Sequence, residues 1–433
     1  MTRQWWKFVG LAVAIALLVV SCQRLLAPAG SGVMHAEIVT VTLSGWSASP
    51  TEQALFKQVL REFEAAHPTI RVRYEAISDQ YMDVLKTRLI GDAAPDVFYL
   101  DGLEAPFLIS QGVLEPLDAY IPTEFNLEDF EASLLDSFRY ENQTFGLPKD
   151  YSTLALFYNK TAFAEAGLTA APQTWEQLRE YAKQLTIDRN QDGRIDQYGY
   201  GEIPELARQV YKIRAFGGEL VDGQGYATFA TEAGLRGLQL AVDQYQRDRS
   251  SAQKSDVGTN SGSEMFGQGK VAMAIEGPWA IPYLQETFPE LDFATAPVPA
   301  INHTPGTMVY TVAYVMNRQA AHKAEAWELI QYLTGNAGMQ RWTSAGSALP
   351  TRRSVAETLG YADDPLRSAF VEGVDYATPW QAGIYPTVIM NSFDNQFVSA
   401  LLGQQPLPQA MQRAQENANE EIWMQGGGSR DEG

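Results

Sequence analysis

Two hydrophobic periods take turns along most of this chain. EIVTVTL (37–43) alternates and is rich in β-branched residues, which predicts a strand. Ser49-Pro50-Thr51-Glu52 then has the form of a capping box with proline at the first helical position. Leu55, Phe56, Val59, Leu60 and Phe63 follow at helical spacing, and His67-Pro68 stops the helix. IRVRYEAI (70–77) reads as a second strand. PDVFYLD (95–101) reads as a third, apolar through its middle as a strand covered on both faces would be. TLALFYN (153–159), VAMAIE (271–276), DFATAPV (292–298) and TVAYVMN (311–317) read as further strands. Between them, Thr174 with Gln177 caps a helix bearing Trp175, Leu178, Tyr181 and Leu185. TEAGLRGLQLAVDQY (231–245) places Leu235, Leu238, Val242 and Tyr245 on one helical face, and AAHKAEAWELIQYL (320–333) is a helix. Strands alternating with helices imply an α/β fold with mainly parallel sheets, here two of them.

Length agrees with two bodies, since 433 residues exceed what one hydrophobic core usually serves. The chain is acidic, with a net charge of −20, and an acidic surface repels phosphate backbones, so no nucleic-acid partner is expected. The N-terminus reads MTRQWWKFVGLAVAIALLVVSCQ. Arg3 and Lys7 precede an apolar run from Phe8 to Val20, too short to span a bilayer comfortably and shaped like a secretory signal. Its end, Val19-Val20-Ser21-Cys22, resembles a bacterial lipobox. On that reading 1–21 is a lipoprotein signal peptide, Cys22 is lipidated, and 22–36 is a tether. The tail 426–433 (GGGSRDEG) carries no packing signal.

Catalytic motifs are missing from the sequence: no G-x-S-x-G elbow, no Walker loop, no G-x-G-x-x-G after a strand. The four histidines are scattered and Cys22 is the only cysteine, so neither a zinc cluster nor any cofactor is expected. In DRNQDGRIDQYG (188–199), Asp188, Asn190, Asp192 and Asp196 fall on calcium-loop positions. The twelfth position, which should be a bidentate glutamate, is Gly199, so calcium is left open beside a plain polar turn. Plentiful carboxylates leave room for a secreted carbohydrate-active enzyme, which would need two of them about 5 Å or roughly 6.5–9.5 Å apart.

Aromatic residues past strand ends are more informative. Trp46 follows the first strand at Ser44-Gly45, and Trp279 follows VAMAIE across Gly277-Pro278, two residues that stop strand pairing. Tyr151 follows Pro148-Lys149-Asp150, and Trp380 sits in DYATPWQAGIY (375–385), with Tyr385 at its end. Asp101 ends PDVFYLD. Open α/β sheets bind ligands beyond the carboxyl ends of their strands. A flat ring stacks on the C–H face of a pyranose and a carboxylate accepts from its hydroxyls, so the set Trp46, Asp101, Asp150, Tyr151, Trp279 and Trp380 suits a sugar. Core packing is the competing reading for each aromatic. Among the strand-end loops only Lys149 is basic, which favours a neutral ligand over a phosphorylated one.

Several segments resemble, in order and spacing, the extracellular solute-binding proteins of carbohydrate-uptake ABC transporters, the group that includes maltose-binding protein. They are TVTLSGWSASPTEQALFKQVLREFEAAHPTIRVRYEAI, GDAAPDVFYLDGLEAPFLISQGVLEPLDAYI, FGLPKDYSTLALFYNKTAFAEAGLTAAPQTWEQL and MFGQGKVAMAIEGPWA. Ala94 departs from the family's "PPDV", and Val113-Leu114-Glu115 from its "L-L-x". The resemblance implies a two-lobed periplasmic-binding-protein-like fold (type II), with hinge strands and a ligand cleft between two α/β lobes. Lobe one would hold 37–152 plus 300–350, and lobe two 153–299 plus 351–425. It implies a non-enzymatic monomer, lipid-anchored on the periplasmic or extracellular face of the bacterial cytoplasmic membrane, that passes a sugar or oligosaccharide to permease subunits. A polyol or glycerol-phosphate-type ligand and a sensory partner are further possibilities within that family. Neither the sugar nor its length or anomer is encoded legibly.

Overall fold

The computed structural model describes residues 38–47 and 50–425. The lipobox with Cys22, the tether, Ser49 of the expected capping box and the 426–433 tail lie outside them. Strand β1 (Val39–Gly45) buries Val41 and Leu43. Helix α1 (Pro50–Ala66) buries Phe56, Val59, Leu60 and Phe63, the face its spacing predicted. Then come β2 (Ile70–Ala76), β3 (Val97–Asp101), β4 (Gly146–Thr153), β5 (Ala155–Asn159), α2 (Trp175–Gln184), β6 (Tyr198–Gly201) and α3 (Glu232–Gln246). The chain continues through β7 (Ser251–Ala252), β8 (Val271–Glu276), β9 (Phe293–Ala296), β10 (Thr307–Met316), α4 (Lys323–Thr334), β11 (Ala377–Pro379), α5 (Pro386–Leu401) and α6 (Leu407–Gln425). Thr174 and Thr231 cap α2 and α3 by accepting the N–H of Gln177 and Gly234, each at 3.3 Å. The stretch 258–264 reads as a polar loop, yet Ser261 caps a helical turn at Gly262–Gly267.

These strands form two sheets, beside a small two-stranded one that pairs Arg139–Tyr140 with Gln143–Thr144. One runs β11-β10-β3-β1-β2, with β4 also on β10; the other runs β9-β5-β8-β6-β7. Both are mixed rather than mainly parallel. β1 pairs in parallel with β2 and β3, but β10 lies antiparallel to β3 and β4, and β8 antiparallel to β5. The physical reason is the path of the chain. β4–β5 and β9–β10 carry it between the sheets: β4 and β9, on which it leaves, run with the parallel strands of their sheet, and β5 and β10, on which it arrives, run against them. The two passages are tied together: the Thr307 hydroxyl accepts the Leu154 N–H at 3.2 Å and donates to its carbonyl at 2.9 Å.

Strand β4 is absent from the hydrophobic pattern because it contains Pro148, Lys149 and Asp150. All eight of its residues are buried. Its register on β10 shifts between Val312 and Ala313, opposite Asp150 and Pro148, so a bulge falls beside the proline that cannot donate.

Each sheet has its own core. Val41, Phe98, Tyr99, Tyr314 and Leu329 belong to the first; Trp175, Leu238, Phe393 and Met411 belong to the second. Arg352 anchors the first from below. It donates to the carbonyls of Thr334 (2.7 Å), Asn126 and Phe125 (3.1 Å each) and pairs with Asp129 at 3.2 Å, while its side chain is 3% exposed. Replacing it with leucine leaves Asp129 and three carbonyls short of donors. Arg352→Leu is expected to cost about 3 kcal/mol or more, measured as a lowered urea midpoint at unchanged slope.

Candidate functional site

Strand β8 is buried over all six residues, Val271 to Glu276. Gly277-Pro278 then turns the chain into a short helix, Ala280–Thr287, with Trp279 as the residue before it. The indole folds back over the turn. A Cβ on Gly277 would lie 2.1 Å from the Trp279 ring, so only glycine fits there. The ring is half-buried, and its Nε1 donates to Glu276 Oε2 at 3.2 Å.

Two further side chains converge on it. Arg208 donates from Nη2 to Glu276 Oε2 at 3.3 Å and from Nη1 to the Ile275 carbonyl at 3.1 Å, with its guanidinium 5.6 Å from the Trp279 ring centre. Burial acts to lower the Arg208 pKa. Glu276, with Tyr310 and Glu205, outweighs it, and the guanidinium stays charged. Tyr310 comes from β10 of the other sheet. Its ring stands 6.3 Å from Trp279 at 69°, and its hydroxyl donates to the Ala207 carbonyl at 2.9 Å. Burial pushes the Tyr310 hydroxyl up to about 12; Arg208 opposes this and Glu276, Glu205 and Asp101 add to it. The turn bearing Arg208 is held from behind by Asp394 of α5, which accepts the Leu206 N–H at 2.7 Å. Burial raises that carboxyl to about 6.

Trp46 and Asp101 end β1 and β3, which are adjacent and parallel. Trp46 is half-buried and held edge-to-face by Tyr81 (5.0 Å) and Tyr99 (5.3 Å). Asp101 Oδ1 accepts the Leu103 N–H at 2.8 Å. Burial raises its pKa to about 6, opposed by that hydrogen bond and reinforced by Glu104 and Asp150. Asp101 sits opposite Val312 of β10, two residues along the strand from Tyr310. Tyr310 thus meets Trp279, past the end of β8, by ring contact and feels Asp101, at the end of β3, by its charge.

Three expected residues are placed otherwise. Asp150 is buried, paired with Lys149 and accepting the Trp342 indole N–H at 2.7 Å. The Lys149 ammonium lies 4.3 Å from the Trp342 ring centre and 4.8 Å from that of Tyr99, so the one basic residue among the expected strand-end loops is engaged in the first core. Tyr151 is 3% exposed, in an apolar cluster with Leu134, Leu349 and Phe370. Trp380 is 7% exposed and belongs to the second core; Tyr385 packs on that core half-buried, ahead of α5. The 188–196 loop is closed by its own bonds. Asp188 accepts the N–H of Asp192 and Gly193, and Asp196 accepts that of Arg189. No metal cluster occurs among the described residues.

Arg208, Glu276 and Tyr310 have no place in the sequence-derived set. Glu276 closes the strand that precedes Trp279, and a charged residue ending a buried strand was a usable signal. Arg208 had none, since 202–209 has no period. A cavity of about 150 Å³ lies past Tyr211, between 211–215, 299–306 and β11, and holds none of the expected residues. Chemically, the site offers one half-buried indole, a tyrosine edge, carboxylate acceptors on both sides and a paired guanidinium.

The sequence profile of the bacterial extracellular solute-binding proteins matches residues 47–340. A putative binding protein of Brucella abortus is 25% identical over 77% of this chain and 80% of its own. The maltotriose-binding protein of Pyrococcus abyssi is 24% identical over 76% of this chain and 70% of its own. Among solved structures, an ABC substrate-binding protein of Listeria monocytogenes in complex with cycloalternan superposes with a TM-score of 0.80 at 19% identity, covering 89% of this chain and 99% of that one. The maltose/maltodextrin-binding domain of Bdellovibrio bacteriovorus bound to maltotriose gives 0.75 at 22%, covering 89% and 100%. With a two-lobed fold and a match over most of its length, the chain belongs to the bacterial extracellular solute-binding protein family.

Proposed function

We propose that this chain is the extracytoplasmic receptor of an ABC importer for a sugar or oligosaccharide, held by a lipid on Cys22 and delivering its ligand as a monomer to membrane permeases. The observation that carries the reading is that Tyr310 is shared: Trp279, from the turn after β8, meets its ring, and Asp101, at the end of β3, acts on it by charge. A pyranose there would stack on the indole and donate hydroxyls to carboxylates. The Pyrococcus abyssi relative is a maltotriose-binding protein, and the two solved structures hold cycloalternan and maltotriose, which supports the ligand class. Lobe one is taken as 37–152 plus 300–350 and lobe two as 153–299 plus 351–425, with closure about the Leu154–Thr307 tie. A ligand touching both lobes favours the closed form.

A thermal-shift screen of mono-, di- and trisaccharides and polyols, followed by calorimetry of the hits, tests the reading; no shift with any of them would overturn it. Trp279→Ala should weaken the best hit about tenfold or more while moving the melting midpoint little. A collapsed midpoint with affinity intact would make the indole a core residue.

The pH dependence has a definite sign. The raised pKa of Asp101 means that its contribution to folding is favourable below the ordinary aspartate value and is lost as pH rises through about 6. Binding runs the other way, because the ionised carboxylate is the better acceptor. Affinity should therefore fall as pH drops from 7 to 5, and Asp101→Asn should flatten that profile. Cys22→Ala should release the protein from membranes or block its processing, read by cell fractionation.

A further inference from the structure

We propose that Glu276 is the residue that makes this cleft select neutral over anionic sugars, an inference that rests on the proposed function. Arg208 is the basic side chain against the Trp279 platform, and a partly dehydrated guanidinium is by nature a receptor for carboxylate or phosphate. Here its charge is matched and two of its donors are engaged. Nη1 is taken by the Ile275 carbonyl, Nη2 by Glu276 Oε2, and that same oxygen holds the Trp279 indole N–H. One carboxylate therefore cancels the charge and fixes the platform.

Glu276 is built to stay in place. It ends a fully buried strand, and its side chain is 5% exposed. Its other oxygen lies against Gly262, where a Cβ would come within 2.0 Å of Oε1, so any side chain at 262 would displace it. Glu205, the other acid whose field reaches Arg208, is exposed and pairs with Lys254 at 3.0 Å, leaving Glu276 as the direct partner. Asp101, beyond Tyr310, adds a second negative charge to the ligand's surroundings. An anionic sugar would meet two carboxylates and a guanidinium whose charge is already matched.

The test is calorimetry on the full chain with matched probes: glucose against glucuronate, and maltotriose against its terminal phosphate ester. Wild type should prefer the neutral member of each pair. Glu276→Gln keeps the shape and an acceptor for the indole but frees the guanidinium, and should move the ratio of dissociation constants toward the anion by about tenfold to a hundredfold, the worth of one charge-assisted hydrogen bond. Arg208→Gln leaves Glu276 uncompensated and should move the ratio the opposite way by about tenfold. It carries the test if Glu276→Gln does not fold. Adding Arg208→Gln to Glu276→Gln should erase the gain. Neutral binding in wild type with unmoved ratios in the variants overturns the role of Glu276 and leaves sugar binding standing. Wild type that takes the anionic member equally well overturns the selection. Where wild type binds another sugar of the thermal-shift screen and neither of these, the same comparison is made with that sugar and its uronate; wild type that binds none of the screened sugars or polyols overturns the proposed function and this inference with it.

Discussion

Strand β10 is the constraint on which the rest depends. Its ten residues pair with β3 along one edge, with β4 along the other and with β11 at its start. It thereby closes the first sheet, receives the chain returning from the second sheet and ties back to the outgoing passage through Thr307 and Leu154. Position along one side of it assigns the roles. Met308 joins the second core, and Tyr310, next on the same side, reaches Trp279; Tyr314, farther along, is in the first core. A slip of one residue would turn Tyr310 away and put Thr311 in its place. The position of the site is thus a matter of sheet register before it is one of side-chain chemistry.

Charge is handled in pairs throughout the interior. Lys149 with Asp150, Arg352 with Asp129, Lys212 with Glu202 and Arg208 with Glu276 are each largely removed from water and each matched. Three of these pairs fix backbone or core. The fourth differs in standing beside a half-buried indole, and the proposed selection between neutral and anionic sugars rests on that location. Asp101, by contrast, forms no ion pair among the described residues, and its carboxylate accepts the Leu103 N–H. Burial raises its pKa, as expected of a carboxylate without a cation to balance it.

Much of the architecture is legible from local pattern, because burial on one face imposes a period that the sequence must obey. VAMAIE forms a strand over the residues expected of it, Thr174 and Thr231 cap their helices, and the spaced apolar residues of α1 are the buried ones. Pattern fails where tertiary pairing overrides local preference. β4 carries a proline and two charges and is still a buried strand, since a bulge absorbs the proline and the charges satisfy each other. The direction of the strands in each sheet is equally invisible, because period two is the same for either direction.

By itself, the sequence determined the α/β character, the likeness to a two-lobed binding protein and the breaker that sets Trp279 beyond its strand. These are written in contiguous residues, where period and turn chemistry act. Only the tertiary structure decided which aromatics are enclosed by a core and which lie half-buried at its edge. Trp279 and Trp380 look alike in sequence, yet one lies half-buried beside Tyr310 and the other 7% exposed in the second core. It alone brought Arg208 to Glu276, across 68 residues. Such a pairing has no local signature, because Coulomb attraction and desolvation depend on distance in space and not on position in the chain.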